Sequence, residues 1–548
     1  MPEFLIQKDY VMKTLHLTDT TEDIRTAADI LSNGGLVAMP TETVYGLAAD
    51  ALNGSAVKRI FEAKGRPMDN PLIVHVARFE DISRLGLVSE IPEKALLLAE
   101  RFWPGPLTII MPKGKVIPDE VSAGLDTVAV RIPSHPVAQR LLRVSGLALA
   151  APSANTSGKP SPTTAEHVAD DMDGRIEAIL DSGACGVGVE STVLTLADGT
   201  PRILRPGIIT REQIEEVIGE TLVDKAVLSQ LESGEKAASP GMKYKHYAPE
   251  AEVILLRGDD DKYINYVNRA YRRGMSAAAL CYDEDAASIL APCVTMGAMS
   301  DEESQAQELF DALRSVDELG VKTVYAHCPS TEGVGMALYN RMIRAAAFRV
   351  IDLPTKRIIG LTGQTGAGKS EVARLLEKKG LPVVSADKAA REAVEDESVL
   401  RGLCEAFGDI LLPDGSLDRR RTAEIAFSTP ENTALLNSIT HPVIKRLMLE
   451  EAESARGDTV VFDASQLFES GEDLICDLII GVVADRETRI RRLLERDGLE
   501  RSEIERRMSA QYSEEFFGTC CDDIIVNDGT AAELAAAVDE LYERSVSR

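Results

Sequence analysis

The chain has 548 residues, of which 44% are hydrophobic and 27% are charged, and its formal net charge is −28. This length is too great for one hydrophobic core and predicts about three or four domains of ordinary globular composition. Such an acidic chain is not expected to bind nucleic acid stably through a broad basic surface. No apolar run is long enough to predict a membrane span. The eight scattered cysteines form no CxxC pair, which is typical of free thiols in a reducing cytoplasm.

Residues 14–230 alternate short apolar runs with amphipathic stretches, a pattern typical of a mixed α/β domain. Helices are predicted at Ser55–Ala63 and Pro136–Val144. Strands are predicted at Leu36–Met39, Leu72–Val76, Leu107–Met111, Val128–Ile132 and Leu147–Ala151.

Six polar clusters follow the apolar runs of this domain. They are PTETVYGLAAD, KGRPMDNPLIVHV, VAVRIPSHP, APSANTSGKPSPT, GVGVESTV and ILRPG. In the second cluster a glycine separates Lys64 from Arg66, and such a cation pair suits a polyphosphate. In the third, Arg131 stands inside an apolar strand and needs an anionic partner. Each cluster alone also fits a turn, a helix cap or a solvated face. Their coincidence favours a ligand site at the strand ends.

Two breaks in the alternation of apolar runs and amphipathic stretches divide the rest of the chain. Residues 231–250 contain Ser, Gly, Pro and a basic-aromatic core, so they are predicted to be a linker. Residues 251–350 resume the alternation and predict a small doubly wound, Rossmann-like α/β domain, with its last helix at Gly335–Arg349. A second short break, IDLPTK, precedes a final domain predicted at residues 357–548.

The motifs PTETVYGL, KGRPxxNPL, FWPGPLT, SANTSGKPSPT, GVESTV, LRPG and SPGMKYKHYAP occur in this order over residues 14–350. This pattern resembles the threonylcarbamoyl-AMP synthases of the YrdC-like family in their two-domain form. The resemblance implies formation of threonylcarbamoyl-AMP and pyrophosphate from L-threonine, bicarbonate and ATP. The product would pass to the machinery that modifies the adenosine beside the tRNA anticodon.

The resemblance also implies roles for individual residues. Lys64 and Arg66 would hold the α-phosphate and the leaving pyrophosphate as the catalytic pair, with Mg²⁺ bridging phosphate oxygens. The threonine ligands would be Thr41, His75, Arg131 and Ser191. Besides Lys64 and Arg66, the nucleotide ligands would be Asn70, Thr127, Ser153, Asn155, Ser161, Arg205 and, as a lid contact from the linker, Tyr247.

Alternatives remain for this part of the chain. The linker also fits a plain tether with a solvated basic patch. An RNA-binding front half is the alternative from another functional class, although the acidic charge and the scarcity of interleaved aromatic and basic residues argue against it.

The final domain contains a strong nucleotide-binding motif. GxxxxGKS runs from Gly363 to Ser370, after the apolar strand RIIGLT and before the helical pattern EVARLLEKKG. This context predicts a phosphate-binding loop on a parallel sheet. Its backbone N–H groups would surround the phosphates, Lys369 would reach the β and γ oxygens, and Ser370 would ligate Mg²⁺. The loop residues are Gly363, Gly366, Ala367, Gly368, Lys369 and Ser370.

Further segments of residues 357–548 resemble dephospho-CoA kinase. They are LPVVSAD, AFGDILLPDGSLDRR, LNSITHP, VVFDASQLFESG and RDGLERSEIERRMSAQ, in this order. The resemblance implies ATP-dependent phosphorylation of the ribose 3′-hydroxyl of dephospho-CoA, with Asp387 as the catalytic base. Arg391 and His441 would lie on the substrate side, and Arg496 and Arg507 in the lid.

Two positions depart from that family pattern. Ser385 replaces the first Asp of an Asp-Ala-Asp motif, and Gln466 falls in a segment where the family has Pro-Leu-Leu-Phe-Glu. A nucleoside or nucleotide kinase therefore remains an alternative. Asp387 also fits a simple helix cap.

Overall fold

The computed structural model describes residues 13–197, 199–229, 247–498, 500–509 and 511–546. By packing, the chain divides into two compact units, Met1–Leu256 with Ser276–Ile351, and Arg257–Met275 with Asp352–Arg548. Within the described residues no helix combines the length and the apolar character that crossing a bilayer requires. The mixed α/β fold class predicted from the sequence is confirmed, whereas the three-domain division and its bounds stay a prediction. Most of the predicted linker falls outside the described residues.

The first unit contains a mixed eleven-stranded sheet in the order β1-β8-β2-β3-β7-β4-β6-β5-β9-β10-β11. Its strands are β1 (Leu15–Leu17), β2 (Val37–Met39), β3 (Gly46–Asp50), β4 (Ile73–His75), β5 (Leu107–Pro112), β6 (Thr127–Arg131), β7 (Leu149–Ala150), β8 (Ala178–Leu180), β9 (Thr192–Thr195), β10 (Arg202–Arg205) and β11 (Leu222–Val223). The helices of this region are α1 (Thr21–Ser32), α2 (Gly54–Lys64), α3 (Phe79–Arg84), α4 (Glu93–Phe102), α5 (Asp119–Ser122), α6 (Pro136–Ser145), α7 (Ala165–Met172) and α8 (Arg211–Ile218).

A second, five-stranded sheet follows in the order β14-β13-β15-β12-β16. Its elements are β12 (Glu252–Arg257), α9 (Asp260–Arg272), β13 (Ala277–Cys281), β14 (Cys293–Thr295), α10 (Glu302–Glu318), β15 (Thr323–His327), α11 (Gly335–Ala345) and β16 (Val350–Asp352). Helix α9 is the exception in packing, because its residues belong to the second unit. Helix α11 ends at Ala345, before the predicted Arg349, since Ala347 and Phe348 have positive φ angles of 48° and 64° that a right-handed helix excludes.

The second unit is built on a parallel five-stranded sheet in the order β18-β19-β17-β20-β21, which puts the strand of the phosphate loop in the centre. The strands are β17 (Arg357–Gly363), β18 (Val383–Ser385), β19 (Thr459–Asp463), β20 (Leu478–Val483) and β21 (Asp523–Val526). The helices are α12 (Lys369–Lys378), α13 (Ala386–Ala393), α14 (Glu397–Phe407), α15 (Arg419–Ala426), α16 (Pro430–Ser454), α17 (Leu467–Ser470), α18 (Arg486–Asp497), α19 (Arg501–Ser509), α20 (Glu514–Cys520) and α21 (Ala531–Leu541).

A buried ion pair joins α11 to the large sheet within the first unit. Arg341 is fully buried, its Nε lies 3.0 Å from Glu190 Oε2, and it also donates to the carbonyl of Pro206. Nearby, Arg344 donates to the carbonyl of Ala226 at 2.8 Å. The small sheet is therefore anchored to the large one by charged groups that have been withdrawn from water.

We expect Arg341→Met to lower the free energy of unfolding of the first unit by about 3–5 kcal/mol, because the buried Glu190 loses the cation that it contacts directly and keeps only the smaller effect of Arg205. Denaturant unfolding monitored by circular dichroism measures the loss. Arg349→Ala is the matched control, since Arg349 pairs with Glu252 and both side chains are nearly half exposed. Its effect should stay within about 1 kcal/mol. Equal effects of the two substitutions would contradict the anchoring role.

Candidate functional site

A cavity of about 70 Å³ opens at the carboxyl ends of β4 and β6, where His75 and Arg131 stand opposite each other in the parallel register. Nine of the residues predicted for the front site line it: Lys64, Arg66, His75, Arg131, Ser153, Asn155, Ser191, Arg205 and Tyr247. The sheet therefore gathers side chains that lie far apart in the sequence.

Lys64 is placed in this cavity by the end of α2. The helix begins at the side chain of Asn53, which accepts hydrogen bonds from two backbone N–H groups, and it stops at Gly65, whose φ of 59° favours glycine. Lys64 is 3% exposed, and its Nζ donates to the carbonyls of Ser153 and Asn155. Burial, and secondarily Arg66, lowers the pKa of Lys64 well below its usual value. An anion beside it would restore the charged form.

Arg66 stands next to Lys64 on the same cavity wall. Its Nη2 donates to the Asn70 carbonyl at 3.3 Å, and its buried Nε has no hydrogen-bond partner among the described residues. Burial lowers the pKa of Arg66 to about 10. A guanidinium with an unused donor, directed into a cavity beside a buried ammonium, is suited to bind phosphate oxygens.

Arg131 is held by the turn that follows β2. Its Nη2 lies 2.7 Å from Glu42 Oε1, and its Nη1 donates to Thr43 Oγ1 at 2.9 Å. Burial alone would raise the pKa of Glu42, but Arg131 outweighs burial and lowers it. Burial, followed by the charge of Arg131, lowers the pKa of His75 to about 3, so this imidazole is neutral. The anionic partner that Arg131 requires is thus a residue of the same chain.

The opposite wall is organised around Glu190. Its Oε1 accepts a hydrogen bond from Ser161 Oγ at 2.7 Å. Burial would raise the pKa of Glu190, but Arg341 and Arg205 outweigh burial and lower it. Arg205 donates from Nε and Nη2 to the carbonyl of Ser191 at 3.1 and 3.0 Å. This network fixes the Arg205 guanidinium along the cavity wall.

Tyr247 is the part of the predicted lid that the structure describes. It is 5% exposed and has a positive φ of 64°, which is unusual for an aromatic residue. Its ring lies 5.2 Å from that of Phe310 in α10, and the next residue, Ala248, donates to the carbonyl of Gly158 at 3.1 Å. Tyr247 therefore forms part of the cavity lining.

Four predicted front-site residues are not among those that line the cavity. Thr41 donates to the Val44 carbonyl and shapes the turn, while Ser161 holds Glu190. Asn70 contributes its carbonyl to Arg66. Thr127 begins β6, four residues before Arg131, which separates the two by roughly 13 Å along the strand.

In the second unit, the loop between β17 and α12 has the geometry of a phosphate-binding turn. Gly366 and Gly368 have φ angles of 83° and 101°, which side-chain-bearing residues rarely adopt. A Cβ on Gly363 would lie 2.5 Å from the carbonyl oxygen of Val482, so the strand packing also requires glycine there. Ser370 lies in the first turn of α12, whose amino end is suited to bind anions.

Lys369 of this loop forms an ion pair with Asp463, the last residue of β19. In the parallel register Asp463 stands opposite Ser385, the last residue of β18. Asp387 follows two residues later in α13, so it comes from the strand end beside that of Asp463. The helix is capped by the Ser385 side chain, which accepts from the N–H of Lys388. Asp387 is therefore not the capping residue.

Asp387 and His441 line a second cavity of about 290 Å³, together with Gln466, Ser470 and Glu472. Burial lowers the pKa of His441. The three predicted arginines are not among the residues that line this cavity. Arg391 is exposed on α13, Arg496 is exposed on α18, and Arg507 pairs with Glu503 on α19.

Several residues of both sites are absent from the sequence-based prediction. Glu42 and Glu190 lie inside recognised motifs, and Asp463 ends a recognised strand, so their positions were available as signals. Arg489 donates to the carbonyl of Thr365 at 2.9 Å and thereby contacts the phosphate loop from the arginine-rich helix α18. Nothing in the sequence distinguishes it from its neighbours on that helix.

Family models cover most of the chain. The model described as "Telomere recombination" matches residues 29–207, and that of the threonylcarbamoyl-AMP synthase C-terminal domain matches residues 209–347. The dephospho-CoA kinase model matches residues 357–533.

Individual relatives agree with these matches. The threonylcarbamoyl-AMP synthase of Bacillus subtilis is 50% identical over 345 residues, which cover 62% of this chain and 98% of that relative. The dephospho-CoA kinase of Corynebacterium glutamicum is 43% identical over 195 residues, which cover 35% of this chain and 98% of that relative. A crystal structure of Pyrococcus abyssi Sua5 complexed with L-threonine matches with 46% identity and a TM-score of 0.57, covering 62% of this chain and 99% of that one.

These similarities confirm both resemblances inferred from the motifs. They support neither alternative function better than the synthase and kinase functions that the resemblances imply. The chain therefore belongs to the threonylcarbamoyl-AMP synthase family through its front part and to the dephospho-CoA kinase family through its back part.

Proposed function

We propose that the chain is a bifunctional transferase. Its first site would make threonylcarbamoyl-AMP and pyrophosphate from L-threonine, bicarbonate and ATP, for tRNA modification. Its second site would transfer the γ-phosphoryl group of ATP to the ribose 3′-hydroxyl of dephospho-CoA. The observation that carries the proposal is that two sets of residues suited to bind phosphate, Lys64 with Arg66 and the loop Gly363–Ser370, belong to different compact units of the chain.

At the first site the reaction needs positioning and charge neutralisation. The amine of threonine and bicarbonate combine to a carbamate with loss of water. A carbamate oxygen then attacks the α-phosphorus, forming the new P–O bond as the bond to the β-phosphate oxygen breaks. Lys64 and Arg66 are suited to hold the phosphate charge that shifts to the pyrophosphate. Their burial strengthens this interaction, because little water screens it.

Threonine is proposed to lie between His75, Arg131 and Ser191. Since Glu42 already pairs with Arg131, a threonine carboxylate would share the guanidinium with Glu42 rather than neutralise an unpaired charge. The neutral His75, whose buried Nδ1 has no hydrogen-bond partner among the described residues, is a second candidate contact for the amino acid. Ser153, Asn155, Arg205 and Tyr247 remain the proposed nucleotide contacts on the cavity wall.

At the second site Asp387 is proposed as the base that orients the ribose hydroxyl and takes its proton. Lys369 would move from Asp463 to the β- and γ-phosphates when ATP binds. Mg²⁺ would supply charge neutralisation at these phosphates. The hydroxyl of Ser370 and the carboxylate of Asp463 offer the hard oxygen ligands that this ion prefers.

Pyrophosphate release by the full chain tests the first activity. We expect release from ATP only when L-threonine and bicarbonate are both present. Pyrophosphate is measured, and not ADP, so the kinase site does not contribute to the signal. D-threonine in place of L-threonine serves as the control. Release that is independent of threonine would contradict the assignment.

We expect Arg66→Lys to slow pyrophosphate release at least about tenfold, which corresponds to roughly 1.4 kcal/mol of barrier, because a lysine loses the two-pronged contact with phosphate oxygens. The matched control is Arg59→Lys in α2, the helix that precedes Arg66, since Arg59 pairs with Glu177 and does not line the cavity. Steady-state rates decide the question. Wild-type turnover of Arg66→Lys would remove Arg66 from the reaction.

Asp387→Asn should reduce ADP formation with dephospho-CoA by about 10²–10⁴-fold, because the amide keeps the shape but accepts no proton. ATP affinity and threonine-dependent pyrophosphate release should stay unchanged. Asp409→Asn, at an exposed position outside the cavity, is the control. Near-normal turnover by a folded Asp387→Asn protein would refute the base role. A wild-type chain that ignores dephospho-CoA would refute the substrate.

A further inference from the structure

Helix α9 lies in the sequence between β12 and β13, yet it packs in the second unit beside the kinase sheet. Arg269 on this helix is 5% exposed. Its Nε donates to the carbonyl of Cys476 at 2.7 Å, and its Nη2 lies 2.7 Å from Asp522 Oδ2. The family model of the kinase begins at residue 357, so α9 lies outside the segment that this family shares.

Arg273, which ends α9, contacts two parts of the segment that forms one wall of the kinase cavity. Its Nη1 lies 2.8 Å from Asp473 Oδ1, and its Nη2 donates to the carbonyl of Phe468 at 2.8 Å. Between these contacts stand Ser470 and Glu472, which line the same cavity as Asp387 and His441. A single guanidinium thus joins both ends of a stretch that includes two cavity-lining residues.

The segment Gln466–Glu472, here called the wall segment, and the adjacent Asp473 contain buried carboxylates that need cations from other helices. Glu472 and Asp473 are adjacent and almost completely buried, at 2% and 1% exposure. Burial raises the pKa of Glu472 to about 7 and that of Asp473 to about 6. The cations that face them are Lys445 on α16 and, for Asp473, Arg273 and Arg269 on α9. Without the α9 arginines, the buried Asp473 carboxylate would lose two of its three cations.

The same segment departs from the dephospho-CoA kinase pattern at Gln466, directly before α17. The departure from the family pattern at Gln466 and the contacts of Arg273 with Phe468 and Asp473 therefore fall in the same short segment. The Arg273 side chain is 22% exposed, and both of its terminal nitrogens are bound. Once α9 is packed, little more side-chain entropy is lost when this arginine holds the short helix α17 against a substrate.

We propose that Arg273 is a positioning residue for the second substrate of the kinase, holding the wall segment Gln466–Glu472 in the conformation that binds the nucleoside part or the pantetheine part of dephospho-CoA. The inference rests on the proposed kinase function. It makes substrate binding by the kinase dependent on a helix outside the kinase domain. Arg273 is not among the residues that line the cavity with Asp387, so its effect should appear in the KM for dephospho-CoA.

The test compares Arg273→Ala with the wild type in the full chain. We expect the KM for dephospho-CoA to rise about tenfold, while the KM for ATP and the kcat change by less than about threefold. Arg272→Ala is the matched control, because Arg272 is its half-exposed neighbour and lies 3.7 Å from Asp522. Arg273→Lys should recover part of the affinity, since one ammonium keeps the charge but not both contacts. An unchanged KM for dephospho-CoA, or an equal rise of both KM values, would overturn the proposal.

A second variant keeps the test decisive if Arg273→Ala does not fold. The pair Arg273→Ala with Asp473→Asn leaves no uncompensated carboxylate, but it still lacks the bond to the Phe468 carbonyl. We expect a severalfold rise of the KM for dephospho-CoA in this protein, and an unchanged value would overturn the proposal. Wild-type turnover of dephospho-CoA is measured first. Its absence refutes the proposed function, whereas normal wild-type turnover with unaffected variants refutes only this inference.

Discussion

The buried ammonium group of Lys64 is the constraint on which the front part of the molecule depends. Two backbone carbonyls hold it, and burial disfavours its charge. A protein gains no stability from such an arrangement, because a buried cation without a compensating anion is costly. The arrangement becomes favourable when a phosphate group enters the cavity. The helix stop at Gly65 and the strand ends that supply Ser153 and Asn155 are the local structures that create it.

Two further buried arginines of the first unit are paired with carboxylates. Arg131 pairs with Glu42 and Arg341 with Glu190, so neither brings a wholly uncompensated positive charge to the cavity. The proposed kinase site is built differently. Lys369 is paired with Asp463, and a glycine-rich turn offers backbone N–H groups that are suited to phosphate oxygens. The chain therefore contains two differently built sites that we propose bind a polyphosphate.

Much of this organisation could be predicted from the sequence. The strand predicted at Leu72–Val76 and the helix predicted at Ser55–Ala63 correspond to β4 at Ile73–His75 and α2 at Gly54–Lys64, and the phosphate loop follows from its glycine spacing. Glu42 lies inside a recognised motif, but its pairing with Arg131 is not readable from the sequence, because the sheet brings together two residues that are distant in the chain. Arg489 and Arg496 are alike in sequence, and only the helix orientation places Arg489 on the loop. The packing of α9 with the second unit has no local signal, since its apolar pattern fits either unit.

We propose that one chain carries two separate nucleotide sites. Isothermal titration calorimetry of the full chain with a non-hydrolysable ATP analogue, in the absence of threonine and dephospho-CoA, measures how many sites there are. We expect two analogues to bind per wild-type chain, and one to bind per chain in Lys369→Ala and in Lys64→Ala. A stoichiometry of one in the wild-type protein, or the loss of both sites from either substitution, would contradict it.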